Sequence, residues 1–567
     1  MVNYFKWIHH LRLLTCCFIF SSAIFIVRYS YSQPSGSSEL VLFNGKIYQH
    51  DNEFAQAVLI KNSLITEIGN NEYVLSKTSN FAESIDLKGA TVIPGLIDSH
   101  IHAIRAGLTF GSEVNWVDAN KISIALSRIK AKAKSIPKNE WIIVAGGWSE
   151  NQFEEKRRPS QAEIDNAALG HPVYIQHFYD SILLSTVGIK KLQTSLDVKD
   201  QTAVELLSRL ESDINNKDGI SGWLTGNARL ISDIYNLLPT PSKSQNISGT
   251  KLFFKELNSL GITGVIDPGG YNLPLNSYDV VKELASSNNL SIKIRYSICA
   301  PRKNLELFDF KEILENKKYI IDSDFLKFNG FGENVTWSMY NNDHPTNNDI
   351  EMLKEALFWA AKNKLTLTFH WNNDDSVHYL LEALEEVNTK YPISTLRWSI
   401  AHLNDASKQT LIRMQVLGVG WHLQNYFYYR GNDFIQKRGL QISKKIPLIK
   451  TALALGIKVS AGTDAHRVMS YNPFIALQWF LDGKTVDGLD FGQFSERPTR
   501  EEALDLYTIN SAWFTFENDF RGRLEQGYKA DLVVLNQDYF AIPVDQISKT
   551  KSVLTIVNGQ IVYSNIH

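Results

Sequence analysis

Cysteine is scarce: the 567 residues hold three, Cys16, Cys17 and Cys299. Two of them stand close to the N-terminus, so no disulfide framework can staple the body of the chain, and an apolar core has to hold it together. An excess of charge is also missing. Lysine and arginine number 58 against 60 aspartate and glutamate, a formal net charge of −2, and this removes the electrostatic footprint of a nucleic-acid or polyanion binder. No low-complexity tract and no long run of like charge interrupts the sequence. A hydrophobic content of 44% with 21% charged residues is that of a globular chain long enough to bury a large core.

The first residues stand apart. Lys6 and Arg12 precede an apolar run from Leu13 to Val27, and Ser30-Tyr31-Ser32 follows with small outer residues. This is the layout of a secretory signal, with cleavage expected after Ser32. The run is shorter than the ~20 residues a spanning helix needs. The protein is therefore expected to be exported, periplasmic or secreted; the alternative is a membrane anchor formed by residues 13–27. Residues 33–38 read as a polar linker.

Both ends of the remaining chain are β-rich, with Asn-Gly turn signals at Asn44-Gly45 and Asn558-Gly559. A small β-sandwich built from residues 33–90 and 521–567 accounts for this, with the intervening 91–520 inserted between its halves. That middle alternates. Strands are expected at 91–97, 262–267, 292–298, 325–330, 365–370, 396–402, 418–423 and 456–463, and helical patterns separate several of them. Eight strands alternating with helices predict an α/β fold of the (β/α)8 TIM-barrel type, with residues 103–250 as a large insertion after strand one.

The stretch Thr91 to His102 organises this body. Period two places His100 and His102 on one face at the end of an apolar strand, half of a metal site. The other strand ends add to it: Lys327 on strand four, His370 ending strand five, His402 ending strand six and Asp464 directly after strand eight. The loops following barrel strands form the active face, so these side chains are expected to converge on a divalent metal. Zinc suits such imidazole and carboxylate donors.

The motifs PGLIDSHIH (94–102), FLKFNG (325–330), WSIAH (398–402) and SAGTDAH (460–466), with His370, resemble those of the amidohydrolase superfamily. GGWSENQF (146–153), GTDAHRVMSYNPFIAL (462–477) and the tail from Ala503 to Asp538 are similar to one branch, amidohydrolase family 3, which includes N-substituted formamide deformylases. The resemblance runs from about residue 39 onward. It implies that His100, His102 and Asp464 ligate one metal, and that His370 and His402 ligate a second or polarise a carbonyl. It implies that Lys327 is the position where some members carry a carboxylated, metal-bridging lysine. One or two metals per chain are implied, with Asp464, Lys327 and His402 as the catalytic set, and homodimers by analogy.

The implied activity is hydrolysis of a non-peptide carbon–nitrogen bond in a small amide-type substrate, through water activated by the metal, with Asp464 passing its proton to the departing amine. Glu333, Trp148, Trp337, Trp371, His422 and Gln424 are expected to bind substrate, with Tyr426 and Phe427 as further wall residues. Arg467 is a candidate for carboxylate recognition or a surface loop residue, and Asp267 reads as structural. The substrate-side loops depart from the branch. Tyr179-Asp180-Ser181 stands where relatives often have Asp-Gly-His, NGFGENVTW follows strand four, and HWNNDD follows strand five. The last lacks the glutamate usual in deaminases. The alternatives are a hydrolase of a cyclic amide or ester, and a non-catalytic exported binding protein on the same fold.

Overall fold

The computed structural model describes residues 39–195, 222–226, 228–270, 273–340 and 342–566. The expected signal segment and linker lie outside the described residues. Eight parallel strands form the centre: β1 (Leu96–Asp98), β2 (Ile262–Asp267), β3 (Lys293–Ile298), β4 (Leu326–Phe331), β5 (Thr368–Trp371), β6 (Ser399–His402), β7 (Gly420–Gln424) and β8 (Val459–Gly462). They pair in chain order as two four-stranded sheets, β1 to β4 and β5 to β8. A parallel bridge between Phe331 and Leu367 joins β4 to the approach of β5. The Ser99 N–H donates to Ala461 O (3.1 Å) and the Asp464 N–H to His100 O (2.7 Å), joining the end of β1 to β8. Helices cross between successive strands, as parallel pairing requires. Thr346 with Asp349 and Thr499 with Glu502 form capping boxes that fix two helix starts.

The expected first strand, 91–97, is two strands. Thr91–Pro94 belongs to a six-stranded sheet, where it lies between Lys46–His50 and Leu532–Leu535. Only Leu96–Asp98 enters the parallel set, pairing with β2. Gly95 is the break. A Cβ there would stand 2.4 Å from the Thr263 side chain, so only glycine permits this close approach. Strands from both ends of the chain thus share one sheet, and Leu42, Ile60, Leu532 and Ile556 share one apolar core with it.

The segment 103–250 holds a separate four-stranded sheet, Ile142–Val144, Val173–His177, Ser181–Leu184 and Trp223–Thr225. Its two end helices, Ala103–Phe110 and Lys243–Ser259, pack instead with the main core through Ile104, Ala106, Phe253 and Leu257.

Candidate metal centre

The C-terminal ends of the parallel strands deliver the polar residues. His100 and His102 follow β1, His370 lies within β5, His402 ends β6, and Asp464 follows β8. The structure brings these five together around a sixth residue, Glu333, two positions beyond β4. His100 Nε2 is 3.4 Å and His102 Nε2 is 3.5 Å from the Glu333 carboxylate. His370 Nδ1 and His402 Nε2 are 3.1 and 3.3 Å from it on the other side. His102 Nε2 is also 3.2 Å from Asp464 Oδ1, and His100 Nε2 is 3.8 Å from the same atom. Two triads result, His100–His102–Glu333 and Glu333–His370–His402, with donor atoms within 4.8 Å of one another. Donors about 2.1 Å from a tetrahedral ion stand about 3.4 Å apart, so both triads fit a metal. Among the described residues, neither buried ring nitrogen of His100 has a hydrogen-bond partner, a costly state for polar atoms that an ion at Nε2 would relieve.

Neighbouring groups aim the rings. His102 Nδ1 is 2.7 Å from Gly269 O, so a proton donated there leaves Nε2 free to ligate. His402 Nδ1 is 2.8 Å from Gln424 Oε1 and is fixed the same way. Asp98 accepts from the His100 and Thr463 N–H groups (both 3.1 Å) and from the Thr463 hydroxyl (2.6 Å), latching the two strand ends that carry His100 and Asp464. His402 and Asp464 both have left-handed φ, 71° and 52°. Backbone hydrogen bonds from Leu403 N–H to Trp371 O (2.6 Å) and from Asp464 N–H to His100 O hold them there.

The charges are mutually supporting. Burial opposes the Glu333 carboxylate, yet the surrounding imidazoles, His370 foremost, hold its pKa well below the ordinary value. Burial also opposes Asp464, and His102, His402 and His100 lower it all the same. Burial, with His402 beside it, pushes His370 down to about 4. Burial disfavours the charge on His402 too, but Glu333 and Asp464 outweigh it and raise that ring.

A cavity of about 560 Å³ opens over the cluster, within the range of small-molecule sites. Its floor includes His102, Glu333, His370, His402 and Asp464. Phe178, Trp337, Tyr340, Tyr426 and Met469 give it largely apolar walls. Tyr340 stacks on His370 at 4.0 Å.

Several expected site residues lie elsewhere. Lys327 is the second residue of β4, at the strand end away from the cluster. Its side chain is 42% exposed and its ammonium is 3.3 Å from Asp322. The position beside the histidines is filled by Glu333 instead. Trp148 is fully buried in the insertion, packed on Trp116 at 5.0 Å, with its Nε1–H donating to Gln176 O (2.9 Å). Trp371 is buried and donates to Ser376 Oγ. Phe427 stacks on Phe491 in the core. His422 is buried against Phe514 (4.1 Å), hydrogen-bonded to Ser460. Gln424 is buried and reaches His402 rather than the cavity. Arg467 lies over Tyr235 (3.9 Å), inside the protein and not on a surface loop. Trp337 and Tyr426 do line the cavity, and Asp267 accepts from the Ile104 and Gly269 N–H groups, a structural role. Sequence reasoning missed Arg105, Phe178, Tyr340 and Met469; only their loop or helix-start positions mark them.

Known proteins give this geometry its relatives. Putative amidohydrolase YtcJ of Bacillus subtilis (strain 168) is 25% identical over 532 residues, 90% of this chain and 96% of that protein. N-substituted formamide deformylase of Arthrobacter pascens is 22% identical, covering 93% of this chain and 98% of that one. An uncharacterized metal-dependent hydrolase from Pyrococcus horikoshii OT3 superposes with a TM-score of 0.62 at 18% identity, over 90% of this chain and 99% of that one. Atrazine chlorohydrolase TrzN from Arthrobacter aurescens TC1, solved with zinc, gives 0.53 at 15% identity, over 93% and 95%. These likenesses establish an α/β fold typical of the TIM-barrel superfamily. The model of the amidohydrolase family matches residues 83–563, a span that includes every residue of the cluster, and the chain belongs to that family.

Proposed function

We propose that the chain is an exported, metal-dependent hydrolase of a non-peptide carbon–nitrogen bond in a small amide-type substrate, and that its eight parallel strands close as a barrel. The observation carrying this reading is the pair of triads sharing Glu333 at the floor of the cavity. The donor set suits two divalent ions, zinc foremost, with Glu333 rather than Lys327 as the shared ligand. Such ions, when bound, polarise a carbonyl and make water nucleophilic at neutral pH.

The chain's own residues do the rest. Asp464 faces the cavity with its carboxylate held in the charged form, so it accepts a proton from the attacking water. It then delivers that proton to the departing nitrogen, because an amide nitrogen leaves only once protonated. The new C–O bond and the broken C–N bond balance with that single transfer. Gln424 and the Gly269 carbonyl fix the tautomers of His402 and His102. The apolar walls exclude bulk water and hold the organic part of the substrate. The formamide deformylase among the relatives supports a formyl or small acyl amide as the first class to try.

Elemental analysis of the purified protein, beside hydrolysis assays on N-formyl and N-acetyl amines, tests the reading. Metal in the unmutated protein that falls in His100→Ala, with amine release, supports it. A protein that binds no metal after growth with added zinc sinks the catalytic assignment and brings forward the binding-protein alternative.

A further inference from the structure

Among the described residues, two guanidinium groups line the cavity, and of these Arg430 alone has a carboxylate partner. Arg430 Nη1 donates to Asp180 Oδ2 (2.9 Å), its Nε is 2.9 Å from Asp433, and the group lies 4.4 Å over the Phe178 ring. Arg105 is different. It stands in the first turn of Ala103–Phe110, three residues beyond His102. Its Nε is buried without a hydrogen-bond partner, and among the described residues no carboxylate pairs with it. The carboxylates around it are committed. Asp267, which feels its field, spends its oxygens on the Ile104 and Gly269 N–H groups (2.7 and 3.0 Å). Glu333 and Asp464 face the imidazoles, and Asp180 faces Arg430.

The group is also held close to the centre. A Cβ built on Gly270 would stand 3.6 Å from Arg105 Nη1 and 3.8 Å from His102 Nδ1. The guanidinium and the histidine ring therefore border the same small space, which the bare glycine keeps open. A partly buried cation with no counter-charge destabilises a fold unless something else supplies one. The guanidinium fork matches a carboxylate in two parallel hydrogen bonds. Trp337, Tyr340 and Tyr426 line the same cavity.

We propose that Arg105 is the carboxylate-binding residue of this cavity, and that the substrate is a small amide carrying a free carboxylate beside an apolar group. This deepens the hydrolase reading and rests on it for the word substrate; the binding site itself does not need turnover.

The test is therefore an equilibrium one. Titration calorimetry on the full-length, metal-loaded protein compares 3-phenylpropanoate with its neutral counterpart 3-phenylpropan-1-ol. The acid is expected to bind about tenfold to a hundredfold tighter, the range that hydrogen bonds to a charged group supply. Arg105→Gln should bring the two ligands to within about threefold of each other, with metal content and circular dichroism unchanged. Arg105→Lys, which keeps the charge without the fork, should retain part of the preference. Equal affinity in the unmutated protein, absence of binding for both ligands included, overturns the proposal. So does a preference that survives in Arg105→Gln, because it assigns the carboxylate to the metal. Hydrolysis and metal content are read separately, so a failed hydrolase reading leaves a different signature.

Discussion

Replacing Glu333 and Lys327 in parallel decides which residue joins the two halves of the centre. Glu333 is 7% exposed and its carboxylate faces four imidazoles at 3.1–3.5 Å. Glu333→Gln keeps the shape and removes the charge. Breaking a buried charged set in this way costs about 3–5 kcal/mol, a loss of about two to four powers of ten in affinity for an ion that shares the carboxylate. Lys327 makes an exposed pair with Asp322, whose side chain is 78% exposed. Pairs of that kind contribute about 0–1 kcal/mol, so Lys327→Ala should leave metal content unchanged and shift the melting temperature little. The assay is elemental analysis after dialysis against chelators of graded strength, with both variants and the unmutated protein treated together. A Lys327→Ala protein that loses metal as readily as Glu333→Gln would refute the assignment and restore the carboxylated lysine. A Glu333→Gln protein that keeps its full metal content would refute it from the other side.

Gln424→Leu removes the acceptor for His402 Nδ1; metal affinity should fall about tenfold to a hundredfold with the fold retained, as read by chelator competition. Trp148→Ala opens a hole in the insertion core, where the indole is fully buried; stability should drop by about 3–5 kcal/mol in chemical denaturation, while KM measured on the folded fraction stays unchanged. The third concerns the end of the strands away from the cavity, where Lys293, Arg295, Arg521, Glu517 and Asp531 form a buried ion network. Burial opposes the charge on Glu517 and Asp531, but the Arg521, Arg295 and Lys293 cations outweigh it and hold both near about 2. A folded pKa below the ordinary 4.5 of Glu517 means that its stabilisation is present above about pH 4.5 and is lost as pH falls toward about 2. Glu517→Gln should cost about 3–5 kcal/mol at neutral pH and flatten the acid limb of denaturant midpoints between about pH 5 and about pH 2; an unchanged limb would show that the network does not set acid stability.

The histidines were legible because strand geometry is periodic and directional. His100, His102, His370, His402 and Asp464 each stand at or just past the C-terminal end of a parallel strand, where a barrel-type sheet presents its functional face. Lys327 is expected under the same rule, but it stands at the start of its strand rather than at the end. It is the second residue of Leu326–Phe331, and the same rule, applied to where this strand ends, selects Glu333. Reading strand four as a candidate end brings the lysine into the set; the observed bounds of Leu326–Phe331 put it at the opposite end. His422 and Gln424 were harder, because period two puts both on the inner face of β7. What separates them from the cavity is depth: His422 is covered by Phe514, and Gln424 is consumed by His402. Trp148 and Trp371, unlike Trp337, leave the pocket for a related reason. An indole fits a pocket wall and a core equally well, and its surroundings decide: Gly146 and Gly147, at φ of 124° and 74°, turn the chain so that Trp148 points into the insertion. The division of 91–97 at Gly95 rests on the Thr263 side chain lying 2.4 Å from an added Cβ, a contact between residues 168 positions apart. Arg105 shows the same limit most sharply. Its helix position gives no hint of function, and its interest lies in having no carboxylate partner among the described residues while bordering the same space as His102, properties that only the surrounding structure can define.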